Sequence, residues 1–103
     1  MGSNIYDSAL EQAELIRTKK VSSEELTERY IRRIEKYDNE INAVVVRTFD
    51  DALERAKEAD SALARGEQLG PLHGVPMTIK ESYVMANTPS TWGIEAFQNN
   101  YSN

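Results

Sequence analysis

Lys80 follows the run Val75-Pro76-Met77-Thr78-Ile79, which makes it a candidate proton acceptor. Side chains alternate across a β-run, so Val75, Met77 and Ile79 share one face while Pro76, Thr78 and Lys80 share the other. An amine drawn from such a position into an apolar site loses hydration, which disfavours the ammonium form and leaves a neutral amine able to act as a base. Spacing alone favours a solvated lysine, because lysine is almost never buried unpaired. His73 is the sole histidine, which argues against a metal centre or a Ser-His-Asp triad and reads as a turn residue bonding nearby backbone. Ser22-Ser23 is the only adjacent serine pair, and its place at a helix start explains it as capping. Ser82 follows Lys80 by two residues, Ser90 falls in a loop and Ser102 in the terminal tail. None sits in a G-x-S-x-G elbow, so no nucleophile is assigned.

The elements that must position Lys80 can be read from periodicity. Ile5, Ala9, Ala13 and Ile16, with Ser8 and Glu11 as a capping box, predict a helix over 4–20. A second helix is predicted over 22–38. Ser22 and Glu25 form its capping box, Val21 and Leu26 its hydrophobic staple, and Leu26, Tyr30, Ile34 and Tyr37 an apolar stripe widened by Ile31. Arg29, Arg32, Arg33 and Lys36 lie beside or opposite that stripe. The β-branched run within 41–47 reads as a strand. Phe49, Leu53, Ala56, Ala59 and Leu63 mark a helix over 48–65, stopped by Gly66. The acidic pairs Glu24-Glu25 and Asp50-Asp51 fall in first helical turns, where they complement the helix dipole. Gly70-Pro71 is a turn signal, and 74–80 reads as a second strand, with Pro76 at an edge or at its beginning. Residues 83–103 read as loop and tail. Two strands need cover, so the helices must pack on them or another polypeptide must complete them.

Composition narrows the function. The 103 residues bound the chain to one domain with a modest core. Twelve basic against seventeen acidic residues give a net charge of −5, and such a surface repels both nucleic acid and an anionic membrane. The absence of cysteine excludes disulfides and thiolate metal sites. No apolar run approaches the roughly 18 residues of a membrane span, and the start lacks the pattern of a signal peptide, so a cytoplasmic location is expected.

The run Gly70-Pro71-Leu72-His73-Gly74-Val75-Pro76-Met77-Thr78-Ile79-Lys80-Glu81-Ser82 resembles the opening motif of the amidase signature family. The likeness continues through Thr88-Pro89-Ser90-Thr91-Trp92-Gly93 and upstream through Ser22 to Tyr37, nearly the whole chain. That family's serine hydrolases cleave amide bonds with a Ser, cis-Ser, Lys triad. The resemblance implies an α/β fold, with N-terminal helices packed on the first strands of a mixed sheet, and a catalytic role for Lys80 as base and acid. It implies a small-molecule amide as substrate of the complete enzyme, and neither cofactor nor metal. The family's Gly-Ser-Ser-Gly segments lie downstream of its lysine and do not occur here, so the expectation is an N-terminal portion that carries Lys80 and is inactive alone. Glu81 stands where the family commonly has Asp, and Trp92 reads either as a core plug or as a pocket wall.

Two other functions fit. One is a noncatalytic module that self-associates or binds a complementary fragment through unpaired strand edges. The other is the family's transamidation subunit, which supplies ammonia to charged tRNA. It ranks lower, because His73 with Glu81-Ser82 is more similar to the stand-alone amidases.

Overall fold

A computed structural model describes residues 6–67, 70–80, 83, 86–89, 95–97 and 99–101. Three helices dominate it: α1 (Ala9–Arg17), α2 (Ser23–Ile41) and α3 (Phe49–Ala64), followed by a 3-10 turn at Glu95–Phe97.

Helix starts follow local chemistry. Ser8 Oγ accepts from Glu11 N–H at 3.2 Å, and Ser22 Oγ accepts from Glu25 N–H at 3.0 Å, each satisfying a donor that the helix cannot. Val21 and Leu26, the expected staple around the second cap, are both buried. Thr48 starts α3 without a side-chain cap, while Asp50 and Asp51 occupy its first turn. Where α1 ends, Lys19 takes a left-handed φ of 62° and Lys20 N–H returns to Leu15 O at 2.9 Å. Helix α3 closes on Gly66, at φ 81°.

The core is small. Ile16, Val21 and Leu26 form its centre, with Leu15, Tyr30, Leu63 and Val75 packed around them. Ala56 and Ala62 are the buried residues of α3, and such short side chains allow the close approach of α2. Gln12 is buried and donates through Nε2 to Tyr30 Oη at 2.5 Å and to Asp7 O at 3.3 Å, tying α1 to α2 without leaving an unpaired amide. The apolar stripe of α2 leaves the core along its length: Leu26 is buried, but Tyr37 and Ile41 are exposed.

The expected sheet is not present among the described residues, which contain no strand and show only isolated bridging such as that of Pro89 with Tyr101. Over 41–47 the structure differs from the sequence expectation for a specific reason. Helix α2 continues through Ile41 and ends on Asn42 at φ 56°. Asp38, buried near that end, then accepts Ala43 N–H on Oδ1 at 2.8 Å and Val44 N–H on Oδ2 at 3.1 Å, and pairs with Arg47 at 3.3 Å. Those two N–H groups are donors that a strand would have offered to a ladder. Residues 75–80 run without regular structure and without a ladder partner among the described residues, and Met77 and Ile79 are exposed. Short runs of this kind are not stable as strands without neighbours.

The Asp38 clamp has an acid signature. The Ala43 N–H, reinforced by the Val44 N–H and by Arg47, outweighs burial and holds the carboxyl below the ordinary aspartate value. With the folded value depressed, the stabilisation is complete above the ordinary value and is lost as pH falls through the folded one. Asp38→Asn is therefore expected to lower the urea midpoint at neutral pH, with the gap to the parent closing in strong acid. An equal gap at every pH would contradict the assignment.

Candidate functional site

The turn before the lysine run is held by all three helices. Within it, His73 N–H donates to Gly70 O at 3.2 Å and Val75 N–H to Leu72 O at 3.1 Å. His73 Nε2 lies 2.8 Å from Ala59 O of α3, and since a carbonyl only accepts, this nitrogen carries the proton. Gly74 takes φ 80°, and a β-carbon there would meet Ile16 Cγ2 of α1 and Ser23 Cβ of α2, each at 3.2 Å. Glycine is favoured on both counts, since any other side chain would be strained at this φ and crowded by its neighbours. Its carbonyl accepts from Ser23 Oγ at 2.5 Å.

Asp60, on α3, meets the start of α2. Its two oxygens accept Ser23 N–H at 2.8 Å and Glu24 N–H at 3.0 Å. Helix α2 thus has two acceptors at its positive end, Ser22 on the local side and Asp60 from another helix.

From Gly74 the chain continues as an irregular run to Lys80, which is exposed. No described residue covers it as an apolar wall, and the low-dielectric setting expected for the amine is not formed by these helices. Of the other residues singled out in the sequence, Ser22 is a cap, as its position suggested. Ser23, which the sequence also explained as capping, does not cap: it is buried as the first residue of α2, and its hydroxyl donates to Gly74 O. His73 bonds backbone, through its N–H within the turn and through its ring on α3. Glu81, Ser82, Ser90, Thr91, Trp92, Gly93 and Ser102 lie outside the described residues. Sequence reasoning missed Asp60, and no local signal marks it, because its partners are 36 and 37 residues away.

An open groove of about 780 Å³ lies between α3 and the turn, lined by Arg55, Ala59, Arg65, Leu72 and His73 among others. Neither Lys80 nor any serine lines it, and Arg65 is paired with Glu67. Among the described residues, no cluster of three or more acidic or histidine side chains could hold a metal ion. No helix among them is long and apolar enough to cross a membrane.

Comparison with known proteins adds to this geometry. The family model for Amidase matches residues 25–103. One component of the glutamyl-tRNA(Gln) amidotransferase of Moorella thermoacetica is 48% identical over 77 residues, covering 75% of this chain and 16% of that protein. An indoleacetamide hydrolase of Bradyrhizobium diazoefficiens is 39% identical over 89 residues, covering 86% of this chain and 17% of the hydrolase. Among solved structures, a bacterial aryl acylamidase of the amidase signature enzymes superposes with a TM-score of 0.88 at 35% identity, over 94% of this chain and 20% of that one. The chain spans between 16% and 20% of the length of these relatives.

Proposed function

Because the chain belongs to the amidase signature family, we propose that it supplies the lysine base of an amidase acting on linear, non-peptide amides. In an enzyme containing this segment, the neutral Lys80 amine takes the proton of a cis-serine hydroxyl, and that serine takes the proton of the nucleophilic serine. The nucleophile attacks the amide carbonyl, backbone N–H groups hold the oxyanion, and the proton returns to the leaving amine as the acyl-enzyme forms. Water then releases the acid. The observation that carries the reading is the placement of Lys80 beyond a turn braced by three helices, inside the matched region. The relatives named above act on different amides or serve transamidation, so the reading is kept to cleavage of the carbon–nitrogen bond.

A second reading, a self-associating or complementing module, is favoured by the exposed apolar side chains Val45, Met77 and Ile79. One experiment separates the two. The isolated chain and a longer protein containing it are incubated with aryl and aliphatic amides, and the mass of the isolated chain is followed by sedimentation over a wide concentration range. The amidase reading expects background hydrolysis from the isolated chain, which lacks nucleophile and oxyanion hole, and turnover from the longer protein. Lys80-dependent turnover by the isolated chain would overturn the division of labour. A longer protein that never turns over, with a concentration-dependent mass for the short chain, would favour the module.

A further inference from the structure

Resting on the amidase reading, we propose that Ser23 and Asp60 are positioning residues that aim Lys80, and that they act on the reaction only through it. The contacts form a closed ring. Gly74 O is bonded to Ser23 Oγ, Ser23 N–H to Asp60 Oδ1, and Asp60 neighbours Ala59, whose carbonyl accepts from His73, the residue before Gly74. Two consecutive turn residues are thereby tied to two consecutive residues of α3, one directly and one through α2. Such a ring resists rotation of the turn about either bond alone.

Capping of the α2 start accounts for Ser22 and for the two N–H groups that Asp60 takes, but not for the Ser23 hydroxyl, which leaves the helix end and bonds the turn. Ser23 is 2% exposed, and its hydroxyl is spent on the carbonyl of the residue at which the run toward Lys80 begins. Val75, next in the chain, packs against the core, and from there Met77, Thr78, Ile79 and Lys80 are all exposed. Aim is therefore set at the Gly74 end. Six residues span at most about 20 Å, so a rotation of about 5° at the turn displaces the far end by up to about 1.7 Å. A misplacement of about 1 Å in a reacting group costs on the order of 10²-fold in rate.

The test uses an enzyme containing this segment, with Ser23→Ala, Ser23→Cys and Asp60→Asn made alone and in a Lys80→Ala background. Turnover is expressed per folded molecule, and Ser23→Cys, which keeps the volume with a weak donor, carries the test if Ser23→Ala does not fold. The single variants are expected to lower kcat about 10- to 100-fold with KM changed less than about 2-fold. In the Lys80→Ala background they are expected to lower the residual rate no further, since a residue that acts through another loses its effect when that other is gone. Unchanged kcat in the folded single variants overturns the proposal. So does an equal loss with and without Lys80, which marks a structural role. If Lys80→Ala alone keeps near-parental turnover, the base assignment fails, and the positioning role falls with it; the single and double variants thus tell the two failures apart.

Discussion

Lys80→Ala, in an enzyme containing this segment, is expected to reduce amide turnover by about 10²- to 10⁴-fold, the contribution of a positioned general acid–base group. The fold should survive the change. Lys80 is exposed beyond the end of the core, so truncation removes no packing within the described residues. Lys57→Ala serves as the control, since that amine sits on the surface of α3, 3.9 Å from Glu54, and surface pairs of this kind contribute little. Single-turnover acylation with an aryl amide is the measurement, beside a circular dichroism spectrum of each variant. Near-parental acylation by a folded Lys80→Ala enzyme would remove the base from the proposed mechanism.

Leu26→Ala is expected to destabilise the chain by about 2–5 kcal/mol, the range for deleting a fully buried leucine side chain. Leu26 is 0% exposed and sits at the centre of a three-residue core, where the other members are Ile16 and Val21. A loss of that size approaches the whole stability of a small domain, about 5–15 kcal/mol. It would also loosen the start of α2, where Ser23 and Asp60 meet, so folding and the aim of the lysine run draw on the same few contacts. Ile41→Ala, at the exposed far end of the same apolar stripe, should change stability by no more than about 0.5 kcal/mol. Urea denaturation of the two variants reads the contrast, and equal midpoints would mean that the core lies elsewhere.

The legible part of this protein was the part decided within one helical turn. The caps at Ser8 and Ser22, the staple of Val21 with Leu26 and the stop at Gly66 all involve residues three to five apart or a single backbone angle, so side-chain type announces them. The amidase signature was legible too, because the run from Gly70 through Lys80 packs unusual residue types into consecutive positions, and the family match spans it.

The strand expected over 41–47 was not legible as what it became. β-branched residues suit a strand only where partners accept the backbone N–H groups, and here a carboxylate from the preceding helix reaches two of them first. By itself, the sequence marked three helical segments, the caps at Ser8 and Ser22 and the lysine of the family motif, but not the helix bounds. Among the described residues the helix expected over 4–20 is Ala9–Arg17, and the one expected over 22–38 runs on to Ile41. Tertiary structure alone decided what holds that lysine's run: the Ser23 hydroxyl grips a carbonyl 51 residues away, and Asp60 closes on α2 from 37 residues away. Contacts of that separation leave no spacing to read, because they exist only once packing of the helices on Ile16, Val21 and Leu26 has brought their donors and acceptors within reach.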